Sequence, residues 1–208
     1  MTNDHPAQSD KHDEQVPLTN PVRVWHLLMI LLCLAAWFTG ELAGDYKKIE
    51  HTGFLIHRSL GLLVFLSLGF YIIYGLVGPK ACRLSGWFPL TGERLRRTGQ
   101  DLAVLRKFKL PEHKRRQGLA GMVQFFGILV FSWLALSGTV MALSITPGIR
   151  AGGILHSLME AHEAGAVLIP VYLLLHVGAV IAHSLQGDHV WKEIFFMRKG
   201  SAVQPDPE

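Results

Sequence analysis

The sequence predicts an all-α fold, an integral membrane four-helix bundle, and three observations lead to it. Half of the 208 residues are hydrophobic. The apolar residues fall into four blocks, near 22–40, 54–78, 118–144 and 164–184. Each block has roughly the 20 residues that a helix needs to cross a bilayer, and none shows the polar face of a soluble helix. We therefore expect one helical domain over residues 21–198, flanked by polar tails at 1–20 and 199–208.

Helix signals bound the four spans in order. Span one follows Asn20, with Pro21 at a position that favours a helix start. Span two ends in the glycines of 75–78, and span three ends near Pro147 and Gly148. Span four lies in the segment 161–184, which is predicted as one uninterrupted helix.

The distribution of charge predicts the orientation in the membrane. Residues 80–116 hold eleven Lys or Arg and three acidic residues, whereas the other two connections lean acidic. By the positive-inside rule, the 79–117 loop and both termini are cytoplasmic in a bacterial inner membrane. We interpret this basic loop as a topology determinant that contacts anionic membrane lipid, rather than as a nucleic-acid surface.

The eleven histidines sort by depth. Four of them fall in tails or in the basic loop and are expected to be solvated: His5, His12, His113 and His189. Within the spans, His57 and His162 lie towards the periplasmic side, and His26 and His176 towards the cytoplasmic side. On a straight helix, His162 and His176 would lie about 40° apart in rotation and about 21 Å apart in height. Depth therefore pairs His57 with His162 and His26 with His176.

Three of these assignments have a rival histidine. His51 competes with His57 but lies in the acidic connection. His156 competes with His162 but is less clearly helical. His183 competes with His176, although it would place one site at the membrane surface.

Two pairs of imidazoles at two depths favour haem over other metals. An apolar cavity between helices suits a porphyrin, and histidine is a common axial ligand of haem iron. Zinc or copper would require a tighter cluster of three or four ligands. Two axial imidazoles fill both open positions on iron, so such a centre carries electrons. No CxxCH motif is present, and two non-covalent haems of b type are therefore expected.

The motifs carrying these histidines resemble the prokaryotic di-haem cytochrome b family. This family includes bacterial cytochrome b561 and the b-type subunits of nickel-iron hydrogenases and formate dehydrogenases. The resemblance covers all four spans and rests on PVRVWH (21–26), IHRSLG (56–61), YGLVGPKACRLSGW (74–87) and the histidine-containing segment 162–184. Tyr74 departs from the family, which often has tryptophan there. The resemblance implies haem ligation by one histidine of span one, one of span two and two of span four: His26, His57, His162 and His176.

The resemblance also implies a function in the respiratory chain. Electrons would pass between a periplasmic redox partner, an iron–sulfur subunit or a c-type cytochrome, and membrane quinone. The chain has no active-site constellation for hydrogen or formate, so catalysis on those substrates would belong to partner subunits. The alternatives are a stand-alone cytochrome b561 that oxidises quinol or handles superoxide, and a haem-free membrane anchor or transporter.

Other polar residues are expected near these sites without ligating iron. Arg58 follows His57 and either pairs with a haem propionate or extends to the membrane surface. His183 is expected next to the inner haem. Arg23, His183 and Gln186 are candidates for lining a quinone site near that haem.

Overall fold

The computed structural model describes residues 20–43, 52–78, 91–111, 118–145, 152–187, 189 and 191–195. These residues form helices and no strands. The helices are α1 (Asn20–Ala43), α2 (Thr52–Val77), α3 (Gly92–Leu105), α4 (Gly118–Ser144), α5 (Gly153–Ala166), α6 (Leu168–Leu185) and α7 (Trp191–Ile194). The rival ligand His51 lies outside the described residues, as do His5, His12, His113 and nearly all of both predicted tails.

Four helical segments are long and apolar enough to cross a membrane, which confirms the predicted fold class. They are α1, α2, α4 and the combined segment Gly153–Leu185. The first three contain their predicted spans almost completely. The fourth begins at Gly153, before its predicted start at 164. The prediction missed its first turns because they carry exposed charged residues, which do not belong to an apolar block. Its 33 residues correspond to about 50 Å of helix, so it extends beyond the hydrocarbon core.

The fourth span is not one uninterrupted helix as predicted. It is interrupted at Val167, whose N–H donates to Ala164 O at 3.3 Å. Pro170 explains the break, because it has no N–H to donate to the carbonyl of Ala166 and its ring crowds that carbonyl. His162 therefore lies in α5 and His176 in α6.

Helices α1 and α2 pack antiparallel through a polar contact and an apolar cluster. The Trp25 indole donates to Ser67 Oγ at 2.9 Å, and its ring lies against Tyr71 with centroids 5.7 Å apart. Buried Cys33 of α1 packs with Val64 and Leu68 of α2. A hydrogen bond between membrane helices contributes about 1 kcal/mol, so apolar packing supplies most of this association.

Helix α4 packs against α2 on one side and against α5 and α6 on the other. The Trp133 indole donates to Ala161 O at 3.2 Å, which joins α4 to α5. A Cβ at Gly165 would lie 2.8 Å from Trp133 Cδ1, so only glycine lets the two helices approach this closely.

The basic loop contains helix α3, which the sequence analysis did not predict. Glu93 in its first turn bonds Arg96 at 2.9 Å and Arg97 at 3.0 Å. Hydrogen bonds from Arg96 and then Arg97 lower the pKa of the Glu93 carboxyl to about 2. This carboxylate is exposed, so the pairs organise the first turn more than they stabilise the fold.

Helix α3 also caps α4. Asp101 Oδ2 accepts the N–H of Leu119 at 2.8 Å, which satisfies a donor that the start of α4 leaves without a helical partner. Gly118 has a φ of +54°, and a Cβ there would overlap the Asp101 carboxylate. The contact therefore requires a side-chain acceptor oxygen at 101 and a glycine at 118.

Residues after α6 fold back towards α1. Gly187, with a φ of +94°, ends the helix, and α7 packs against α1. The Trp191 indole donates to Ser184 Oγ at 3.1 Å, and the same oxygen lies 3.0 Å from His189 Nδ1. His189 was expected to be solvated, but it is half-buried in this arrangement.

The Asp101 cap yields a prediction about stability. Asp101→Ala should lower the free energy of unfolding by about 1 kcal/mol, because it removes a capping acceptor. For a chain of this size, that corresponds to a thermal midpoint lower by about 2–4 °C in detergent. Asp101→Asn, which keeps a carbonyl oxygen as acceptor, should lose less. An Asp101→Ala midpoint equal to that of the wild type would contradict the role of the cap.

Candidate functional site

Four histidines from the spans meet in two pairs inside the bundle. The ring centroids of His26 and His176 lie 6.2 Å apart, and those of His57 and His162 lie 6.3 Å apart. These are the partners that depth in the sequence selected. Each pair joins helices that are distant along the chain: α1 with α6, and α2 with α5.

The separation within each pair suits one metal ion between two imidazoles. An imidazole nitrogen lies about 1.2 Å from its ring centroid and about 2 Å from a metal that it ligates. Two rings on opposite sides of one ion therefore have centroids about 6.4 Å apart. The rings are inclined by 40° in one pair and 84° in the other. Rotation about the metal–nitrogen bond changes this angle without moving the nitrogen.

Two ligands per site distinguish these pairs from zinc or copper centres. Among the described residues, no group of three or more His, Cys, Asp or Glu side chains could hold a metal ion. A porphyrin supplies four ligands to its iron, so the protein would need to provide only two imidazoles. The donor set therefore fits haem.

The helices that carry the paired histidines do not pack closely against each other. Close backbone packing joins α1 with α2, α2 with α4, and α4 with α3, α5 and α6. The pairs α1–α6 and α2–α5 are not among these contacts. In the described part of the chain, no side chain is less than 2% exposed. The ring pairs therefore lie between helices that are not closely packed, which is where a prosthetic group would have to fit.

Hydrogen bonds hold the outer pair, His57 and His162. His57 Nδ1 lies 2.9 Å from Ala36 O. A carbonyl only accepts, so His57 carries its proton on Nδ1, and Nε2 keeps the lone pair that a metal requires. His162 Nδ1 lies 2.8 Å from Ser137 Oγ, and Ser137 is 2% exposed.

Glycines let the neighbouring helices approach the outer rings. A Cβ at Gly138 of α4 would lie 3.2 Å from His162 Cε1. A Cβ at Gly40 of α1 would lie 3.5 Å from His57 Cε1. A Cβ at Gly138 would require His162 to shift by a few tenths of an ångström, whereas a Cβ at Gly40 would make an ordinary van der Waals contact with His57.

Aromatic packing holds the inner pair. The Tyr172 ring stacks on His176 with centroids 5.3 Å apart and an interplanar angle of 15°. Phe131 meets Tyr172 edge-on at 5.5 Å, and a Cβ at Gly127 would overlap the Tyr172 ring. His26 Nδ1 is buried and has no hydrogen-bond partner among the described residues.

The remaining predicted site residues lie away from the two pairs or at their margins. His156 is exposed in α5, 3.4 Å from Glu160. It points about 240° around the helix from His162, which is why it does not face His57. His183 is half-buried about two helical turns beyond His176, Arg58 is exposed, and Arg23 is buried at 5% exposure in α1.

These observations define a class: a multi-pass membrane protein whose interior holds two pairs of imidazoles. Comparison with protein families identifies the family. The family model of prokaryotic cytochrome b561 matches residues 18–197, and the chain belongs to this family. It is therefore a membrane b-type cytochrome that functions in electron transfer. Searches of curated proteins and of solved structures found no match.

Sequence reasoning missed the residues that orient the imidazoles. Ser137, Tyr172 and Gly40 were not singled out, and Gly127 and Gly138 attract attention only as small residues in a membrane helix. Ser137 gave one usable signal, since a hydroxyl in an apolar span needs a partner. That partner could not be identified without knowing which face of α4 meets α5.

Gly127 provides a test of the inner site. Gly127→Ala should displace the Tyr172 ring and thereby reorient His176, so haem content should fall towards half while the outer site persists. Gly178→Ala is the matched control, because a Cβ at Gly178 meets nothing within 4 Å. Haem content and reduced-minus-oxidised spectra of both purified variants measure the effect. Equal haem content in Gly127→Ala and wild type would contradict the role of this contact.

Proposed function

We propose that this cytochrome holds two non-covalent haems b and conducts electrons between a periplasmic redox partner and membrane quinone. His57 and His162 would ligate the outer haem, and His26 and His176 the inner haem. The observation that carries the proposal is the separation of the two imidazole pairs, 6.3 Å and 6.2 Å. Both values lie within about 0.2 Å of the spacing that a shared metal ion would require.

Bound haem would supply reversible one-electron chemistry at iron. The chain would contribute two imidazoles to each haem, His57 with His162 and His26 with His176, and iron held in this way would carry electrons rather than bind a substrate. It also contributes the apolar walls of α1, α2, α4 and α6, which exclude water from the sites. These properties favour electron transfer over catalysis on a small molecule bound at iron.

The orientation is proposed from charge. Arg94, Arg96 and Arg97 of α3 lie at the same end of the bundle as the start of α4, because α3 caps that helix through Asp101. The positive-inside rule assigns that end to the cytoplasm of a bacterial cell. His26 and His176 then form the cytoplasmic site, and both termini are cytoplasmic.

Quinone is proposed to exchange electrons near the inner site. Arg23 lies three residues before His26 and is 5% exposed, and a buried guanidinium in a membrane helix usually serves a function. His183 and Gln186 lie at the same end of the bundle, in and just after the last turn of α6. The periplasmic partner, an iron–sulfur or c-type protein, would approach the outer site.

Histidine variants test the ligand assignment. His57→Ala and His176→Ala should each lose one of two haems, measured as haem per protein after purification. His156→Ala and His183→Ala are the controls, since each removes a rival imidazole from the fourth span and should leave two haems. Loss of both haems in either ligand variant would contradict the pairing, as would retention of both. Absence of a b-type reduced-minus-oxidised spectrum in the wild type would contradict haem binding altogether.

A second experiment tests the redox partners. The full chain in proteoliposomes should be reduced anaerobically by a soluble quinol analogue, because the inner site would exchange electrons with quinone. Material purified from native membranes should also carry an iron–sulfur or c-type protein. Reduction by quinol without any such companion would favour a stand-alone quinol oxidoreductase. Failure of quinol to reduce a haem-replete protein would exclude the quinone proposal.

A further inference from the structure

Ser137 contacts a proposed ligand from a helix that supplies no ligand itself. It lies in α4, is 2% exposed, and its Oγ is 2.8 Å from His162 Nδ1. The same Oγ lies 2.6 Å from Trp133 O and 3.3 Å from Leu134 O. Both carbonyls belong to the preceding turn of α4.

The contacts determine where the protons lie. A serine hydroxyl has one hydrogen and two lone pairs, whereas a carbonyl can only accept. The 2.6 Å contact therefore places the Ser137 hydrogen on Trp133 O. The His162 contact must then be a donation from Nδ1–H to Ser137 Oγ, which leaves the Nε2 lone pair of His162 available to iron.

We propose that Ser137 is a positioning residue for the outer haem: it fixes the Nδ1–H form of His162 and lowers the reduction potential of that haem. The inference rests on the proposed ligation of the outer haem by His57 and His162. A hydrogen bond from Nδ1–H makes an imidazole a more basic ligand. A more basic ligand stabilises ferric over ferrous iron, because the oxidised metal carries the greater charge.

The two sites differ in the hydrogen bonds that their imidazoles make through Nδ1. At the outer site, both imidazoles donate through Nδ1, His57 to Ala36 O at 2.9 Å and His162 to Ser137. At the inner site, His26 Nδ1 is buried without a hydrogen-bond partner in the described part of the chain. A lower reduction potential at the outer haem favours electron transfer from the outer haem to the inner haem.

Optical redox titration of the purified, haem-replete full chain tests the proposal. The wild type should titrate as two one-electron components, and a protein without them would refute the haem proposal rather than the role of Ser137. Ser137→Ala should raise the potential of one component and leave the other unchanged. If loss of the hydrogen bond shifts the ferric-to-ferrous preference by roughly tenfold, the rise is about 59 mV.

Two variants separate positioning from packing. Ser137→Thr retains the hydroxyl and should restore the wild-type potential. Thr139→Val is the matched control, because Thr139 Oγ1 donates to Ala135 O at 2.7 Å on the same helix and, in the described part of the chain, makes no hydrogen bond to a histidine. This variant removes a comparable hydroxyl and should leave the potential of both components unchanged.

The component whose potential rises in Ser137→Ala must also belong to the outer haem. It should therefore be the component that is absent from His57→Ala. Should Ser137→Ala not retain haem, Ser137→Cys keeps a similar size with only a weak acceptor and should show the same rise. The proposal is overturned if Ser137→Ala or Ser137→Cys titrates like the wild type, if both components move together, or if Thr139→Val produces the same shift.

Discussion

The bundle depends on one constraint: imidazoles must be held in pairs, with ring centroids 6.2 Å and 6.3 Å apart, in an apolar interior. Histidine is costly in such a place, because each ring has two polar nitrogens and bulk solvent satisfies neither. The outer pair meets this demand with the Ala36 carbonyl and the Ser137 hydroxyl, each within 2.9 Å of a ring nitrogen. Those contacts leave the other nitrogen of each ring as the one available to a metal.

Helix α4 organises the sites although it contributes no proposed ligand. It packs against α2, α3, α5 and α6, and its start is capped by Asp101 from α3. Along its length it presents Gly127 beneath Tyr172 at the inner level and Ser137 beside His162 at the outer level. The helix that carries no ligand thus fixes the orientation of one imidazole in each pair. Substitutions in α4 are expected to act on the haems through these contacts.

The two sites use different physical means to orient their imidazoles. The outer rings are held by directional hydrogen bonds, which select a tautomer and change the basicity of the ligand. The inner His176 is held by stacking on Tyr172, which restrains the ring plane without accepting a proton. One protein can therefore give two chemically identical ligand sets different electronic environments.

The sequence by itself determined the fold class, the number of spans and the pairing of histidines by depth, because apolar block length and helix rise convert directly into position across a membrane. The ligand assignment stays a prediction, supported by the distances between the rings. Only the tertiary structure decided that Ser137 of α4 meets His162 and that Gly127 of α4 meets Tyr172. The physical reason is that rotation of one helix against another depends on packing between segments distant along the chain. Neither hydropathy nor residue spacing determines that rotation.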